Sequence, residues 1–217
     1  DASFSPDGTR LATVSWKDTT GHIRDTETGQ QTAEIEGHWN QINTVAFSPD
    51  GARLITASKD GTAQLSDATT GEQIAILARH QGGMKSARFS PGGSLLITVD
   101  GNTSGRVRLW NANTLEQEEA FYSPDYNAIV SVRFSPDGSR LLTISRDGSA
   151  RLWNTGRGDR IATLSGFESP IRSARYSPDG SVLVTAHKKG AARLWHADTG
   201  NAVGLIPADV SSIRFSP

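Results

Sequence analysis

The sequence contains no cysteine, which excludes disulfides, thiolate nucleophiles, zinc ribbons and cysteine-ligated clusters together. The redox compartment stays open, because cytosolic and secreted proteins alike can do without cysteine. Net charge is nearly absent as well: 22 Lys+Arg stand against 23 Asp+Glu, a formal charge of -1. With no field of one sign over the surface, neither nucleic acid nor an anionic membrane is expected as a partner. No apolar run approaches the roughly 20 residues that a membrane-spanning helix needs. The opening residues lack both the basic start and the apolar stretch of a signal peptide. The chain as given is therefore expected to be soluble, with a cytoplasmic location favoured. Helical periodicity is scarce, whereas 22 glycines and 9 prolines punctuate the 217 residues, a length sufficient for a sizeable core.

What is present is repetition. An aromatic-Ser-Pro unit begins at Phe4, Phe47, Phe89, Phe134, Tyr176 and Phe215, at spacings of 39 to 45 residues. Four copies continue as Ser-Pro-Asp-Gly and the third as Ser-Pro-Gly-Gly, a turn in which Pro presets φ and Gly accepts φ > 0. Around each turn the apolar residues alternate, as in Asn43–Phe47 before it and Arg53–Ser58 after it, which predicts strands. A tight turn such as Lys59-Asp60-Gly61 leads to a third strand, and a Thr-Gly turn leads to a fourth, Gln73–Leu77. Units at 1–41, 42–83, 84–128, 129–170 and 171–210, with a partial one at 211–217, each give a four-stranded antiparallel sheet. One such sheet cannot bury both faces alone, so the units must stack, and units of this size usually stack radially.

These residues carry a resemblance. Gly37-His38, the Ser-Pro-Asp-Gly and Asp-Gly turns, and the endings Trp110-Asn111 and Trp153-Asn154 resemble the tryptophan-aspartate (WD) repeat of β-propellers, over essentially the whole chain. The resemblance implies an all-β propeller, five repeats visible plus the first strand of a sixth, in a larger ring of about seven blades. It also implies a hydrogen-bonded tetrad in each blade: a His, a Ser or Thr ending the second strand, the Asp of the next turn and the Trp of the third strand. Here the tetrad positions are incomplete: His38, Ser58 and Asp60 without Trp in the second unit, and His80 and Trp110 in the third, where Asp100 takes the Ser place. The fourth has Ser145, Asp147 and Trp153, and the fifth Trp195, with His187 at the Ser place.

A serine, a histidine and an aspartate at His38, Ser58 and Asp60 supply the residue types of a hydrolase, but Ser145 and Asp147 recur in another unit, where a unique catalytic site would not. They are read as structural. His22, His38, His80, His187 and His196 are scattered without metal-ligand spacing, so neither metal nor cofactor is expected. The loops at one end of the stack are more informative. Trp16, Lys17, Lys59, Arg146 and Lys188 lie in the turns after the second strands, and Trp39, Asn40, Tyr126 and Phe167 in the loops before the first. Together they form a candidate partner-binding face, basic and dotted with aromatics, for a protein or an acidic peptide. Arg88, Arg133, Arg175 and Arg214 each precede the first-strand aromatic and are expected to bridge neighbouring blades.

The expected function is that of a non-enzymatic scaffold or sensor platform for protein–protein interaction. Two alternatives remain open: a small-ligand or enzymatic propeller with a site at the channel mouth, and an architectural unit that self-assembles. Because the motif stops within its sixth copy, an open arc that self-associates through terminal blade faces is a further expectation.

Overall fold

The computed structural model describes residues 1–217 apart from 16, 81, 103–104, 123–127, 166–168, 188–190, 208–212 and 216–217, and at 78–79 the backbone alone. The first sheet comprises β1 (Ala2–Phe4), β2 (Arg10–Val14), β3 (Gly21–Asp25) and β4 (Gln31–Ile35). The second comprises β5 (Ile42–Phe47), β6 (Arg53–Ser58), β7 (Thr62–Asp67) and β8 (Gln73–Arg79). The third has β9 (Met84–Phe89), β10 (Leu95–Asp100), β11 (Arg106–Asn111) and β12 (Gln117–Tyr122). The fourth has β13 (Ile129–Phe134), β14 (Arg140–Ser145), β15 (Ala150–Asn154) and β16 (Arg160–Leu164). The fifth has β17 (Ile171–Tyr176), β18 (Val182–His187), β19 (Ala192–His196) and β20 (Ala202–Ile206). Every sheet is an antiparallel meander in chain order, and among the described residues there is no helix. Residues 213–215, expected to open a sixth unit, form no strand, as a segment without a ladder partner cannot satisfy the pairing that defines one.

The turn between the first two strands shows why the Ser-Pro-Asp-Gly sequence is used. In the second blade the buried Ser48 hydroxyl donates to Asp50 at 2.5 Å and accepts the Arg53 amide at 2.9 Å, while Gly51 sits at φ 72°. Ser5, Ser135 and Ser177 repeat the donation to Asp7, Asp137 and Asp179. The serine hydroxyl, helped by nearby amides and hydroxyls, holds each of these three carboxyls down at about 2. The last β-turn of each blade needs the left-handed region too, at Gly29, Gly71, Gly158 and Gly200; in the third blade Leu115 occupies that position at φ 62°.

The chain divides into two compact units, Asp1–Ala128 with three blades and Ile129–Pro217 with two. Within the first, one face of blade one (Ala12, Val14, Ile23, Ile35) packs on the opposite face of blade two (Ile42, Val45, Phe47, Leu54). Blade two's other face (Ile55, Ala57, Leu65) packs in turn on Met84, Ala87, Leu96 and Trp110 of blade three. In the second unit Leu142, Ile144, Leu152 and Leu164 of blade four meet Ile171, Ala174, Leu183 and Trp195 of blade five. Strand alternation puts one apolar set on each face, so every blade has two sticky sides. Each fully buried Leu or Ile contributes about 1.5–3 kcal/mol.

Second-strand arginines cross these junctions. Arg10 donates to the carbonyls of Ala68 (2.8 Å) and Gly51 (2.9 Å) and lies 5.4 Å from the Phe47 ring centre. Arg53 repeats this toward blade three, donating to the Ala112 carbonyl and lying 5.6 Å from the Phe89 ring. Arg140 pairs with Asp198 of blade five. The expectation that Arg88 and Arg175 bridge blades is corrected: both are exposed and make no ion pair among the described residues. Their neighbours Ala87 and Ala174 take the inward positions, and alternation turns the arginines away.

Candidate functional site

The candidate face of the first unit is built on a buried polar network in blade two. His38 and Asp60 are sealed from solvent, with His38 Nδ1 2.8 Å from Asp60 Oδ2 and Nε2 2.8 Å from the Thr56 hydroxyl. Thr62 donates its hydroxyl to Asp60 at 2.6 Å and its amide at 2.7 Å. Burial alone would raise the Asp60 pKa, but these Thr62 bonds and His38 outweigh it, and the carboxyl is held below its ordinary value as a fixed acceptor.

That acceptor holds a loop. Asp60 also takes the backbone amide of Trp39 at 3.2 Å, and the Ser58 hydroxyl donates to the Asn40 carbonyl at 2.9 Å. The Lys59 amide donates to the Gln41 carbonyl at 2.8 Å, tying the turn after β6 to the same loop. The backbone of residues 39–41 is thus pinned at three points while the Trp39 side chain stands outside, the residue 74% exposed. Asn40 and Lys59 are exposed beside it. Lys17 is exposed on the neighbouring turn, which reaches this loop's strand through the Ile42 amide and the Asp18 carbonyl, 3.4 Å apart. Asp18 and Glu36 are exposed on the same loops, so the cations here are interspersed with acids rather than forming a field of one sign. In the second unit Arg146 occupies the place of Lys59 and is exposed. Trp16, Tyr126, Phe167 and Lys188 lie outside the described residues.

The tetrad differs from expectation in one member. The hydroxyl that accepts from the tryptophan Nε1 is not at the end of the second strand but two residues earlier: Trp110 to Thr98 at 3.0 Å, Trp153 to Thr143 at 2.9 Å and Trp195 to Thr185 at 3.0 Å. In blade two Thr56 has this place and meets His38, while Ser58 turns to the loop carbonyl. Residues i and i+2 share a face, so spacing alone does not choose between them. The cross-strand register does. Thr98 faces Arg108 and the indole two positions on reaches back diagonally, as Thr143 and Thr185 repeat with Arg151 and Arg193. A signal was present in the sequence, since threonine recurs at 13, 56, 98, 143 and 185, once in every repeat.

The strand-end position is instead where the blades diverge. In blade three Asp100 pairs with His80, and Arg108 contacts both, so the acid comes from the strand end and not from the turn. Burial lowers the Arg108 pKa, and the Asp100 charge opposes that shift. In blade four Ser145 accepts from Arg151 at 3.2 Å, and Asp147 accepts the amide (2.8 Å) and hydroxyl (2.7 Å) of Ser149. In blade five His187 lies 3.2 Å from the Thr185 hydroxyl and 3.2 Å from the Ser169 carbonyl. The serine–histidine contact that a hydrolase needs is not made by Ser58, whose hydroxyl is committed to Asn40.

The comparisons agree with this architecture. The family model for the WD domain, G-beta repeat, matches residues 29–67, 71–111, 119–154 and 158–196. Each match opens within two residues of the start of the outer strand of one blade and closes on the last residue of the third strand of the next, so the repeat as matched straddles two sheets. Coronin-7 of Mus musculus is 40% identical over 58 residues, which cover 27% of this chain and 6% of that protein. The chain therefore spans a small part of the length of that relative. With four matches covering more than half of its residues, the chain belongs to the WD-repeat family of β-propellers.

Proposed function

We propose that this chain is a non-enzymatic recognition platform, of the protein-binding kind that WD repeats generally provide, whose partner docks on the loop end of blade two with Trp39 as the anchor. The single observation that carries the reading is the combination of a rigidly held backbone and a free indole: three hydrogen bonds fix residues 39–41, yet Trp39 is 74% exposed. A large side chain presented on a fixed loop loses little conformational entropy on binding, which is the physical profile of an interface hot spot. Lys59, hydrogen-bonded through its backbone to the same loop, supplies a local charge for an acidic group on the partner.

The test is selection of binders from a random peptide display library on the immobilised chain, followed by rebinding to variants. Trp39→Ala is expected to weaken the selected peptides about 30-fold or more, as for a hot spot worth about 2 kcal/mol. Lys59→Glu is expected to remove acidic sequences from the enriched pool. Peptides that bind equally well to both variants refute the platform at this face.

A further inference from the structure

Half-buried arginines in this protein spend their donors. Arg10 and Arg53 reach carbonyls of the next blade, Arg140 pairs with Asp198, and Arg193 donates to the Ser165 carbonyl at 3.3 Å. Arg106 does not. It opens β11, half-buried, and makes neither a hydrogen bond nor an ion pair among the described residues. Its Nε is sealed from water without a partner, whereas its terminal Nη groups are not sealed, and an unspent donor of this kind calls for an acceptor. A ring holds it in place. Tyr122, its cross-strand partner on β12, has its ring centre 4.8 Å from the guanidinium carbon and is itself 50% exposed. Arg108, two residues along β11, faces the same side. The carboxylate of this cluster, Asp100, is already engaged with His80 and with Arg108, the latter at 3.4 Å. Two guanidiniums thus share one acid. Burial lowers the Arg108 pKa, and the Arg106 charge adds to that shift.

We propose that Arg106 seats a carboxylate of the docking partner, an Asp or Glu side chain on a peptide segment that also contacts Trp39, so that the partner bridges blades two and three. The inference rests on the platform reading of Trp39 and names the polar half of the same recognition. Both groups stand at the same end of one compact unit. Backbone bonds lead from loop to loop across that end: the Lys59 amide to the Gln41 carbonyl at 2.8 Å, the His80 amide to the Gly61 carbonyl at 2.7 Å, and the Gly101 amide to the Gly83 carbonyl at 2.9 Å. β11 begins five residues beyond Gly101, with Arg106 as its first residue. An arginine fork matches a carboxylate through two parallel N–H···O bonds, a geometry that an ammonium cannot offer. Stacking on Tyr122 orients the guanidinium before the partner arrives, which spares part of the ordering cost of binding. A carboxylate from outside also supplies the second acid that the pair Arg106 and Arg108 lacks. Asp18 and Glu36 stand exposed on the loops around Trp39 and repel a run of negative charge, so one acidic residue at a set distance from an apolar one fits this end better than a polyanion.

The test is a double-mutant cycle between the protein and peptides taken from two random display libraries, one complete and one lacking Asp and Glu. The complete library is expected to yield the tighter binders, with one acidic residue at a fixed spacing from an apolar one. Arg106→Gln should weaken such a peptide about 10-fold or more, the loss of a charge-assisted hydrogen-bonded pair. Replacing the peptide's acidic residue by its amide should cost about the same, and the two changes together no more than either alone. Tyr122→Ala should weaken binding while Tyr122→Phe, which keeps the ring, leaves it unchanged. Circular dichroism and melting of Arg106→Gln should match the parent, since the side chain has no partner to lose. Equally tight binders from the library without acids, losses at Arg106 and at the acidic residue that simply add, or a loss that follows Lys59→Gln in place of Arg106→Gln, overturn the proposal. If Trp39→Ala weakens the peptides and Arg106→Gln does not, this inference falls and the platform stands; if neither library yields a binder, both fall.

Discussion

Thr98 is wholly buried, and its hydroxyl accepts the Trp110 Nε1–H at 3.0 Å inside the stack between blades two and three. Valine at this position keeps the branched shape and removes the acceptor, so Thr98→Val isolates the hydrogen bond. A buried donor deprived of its partner costs about 1–3 kcal/mol. Serine keeps the hydroxyl and deletes one methyl, a change of about 0.5–1.5 kcal/mol in comparable cores. For a chain of this size each kcal/mol moves the melting temperature by about 2–4 °C, so Thr98→Val should melt about 2–12 °C below the parent, with Thr98→Ser between them. Differential scanning calorimetry measures the shift, and the Trp110 indole ¹H–¹⁵N resonance reports the bond directly. Ser145→Ala provides the contrast at the strand-end position. Arg151 keeps Ser149 at 2.9 Å, and the loss should be the smaller one. If Thr98→Val melts within about 1 °C of the parent, or if Thr98→Ser is equally damaging, the threonine is not the tetrad hydroxyl in energetic terms.

Two glycines separate strain from collision. Gly8 and Gly61 both have positive φ (73° and 88°), but a Cβ on Gly8 meets nothing within 4 Å whereas one on Gly61 lies 2.2 Å from the His80 carbonyl oxygen. Gly8→Ala should cost about 1–2 kcal/mol and Gly61→Ala clearly more, read from urea midpoints; equal midpoints would show that the His80 backbone yields freely. Acid should destabilise the chain in two stages. Burial holds the His187 pKa below 6.5, with the Ser169 carbonyl opposing and the Arg193 charge reinforcing the shift. The unfolded chain therefore takes up this proton first: the contribution is present above pH 6.5 and is lost as pH falls below it through the folded value. His187→Gln should flatten that stage in melting curves taken against pH. Asp7, Asp137 and Asp179, held at about 2 against 3.8, keep their contribution above pH 3.8 and lose it as pH falls toward 2. A single transition unaffected by His187→Gln contradicts the first stage.

Much of this protein is legible from short-range chemistry. The Ser-Pro-Asp-Gly turns, the alternation of apolar residues and the recurrence of the motif determine five meanders, because turn conformation and strand faces follow from residues a few positions apart. The same locality explains the residue that was misplaced. Ser58 and Thr56 share a face of β6, and only the cross-strand register decides which hydroxyl meets a histidine or an indole. Tertiary structure alone decided that Arg10, Arg53 and Arg140 bridge blades, since their partners lie on the next blade, as far as 59 residues away in sequence. It also decided that Asp100 replaces a turn aspartate as the partner of His80, and that the buried His38–Asp60 pair serves to hold Trp39 in place. A local pattern specifies which way a side chain points. What it meets there depends on the blade that packs against it, and on whether any strand covers its edge.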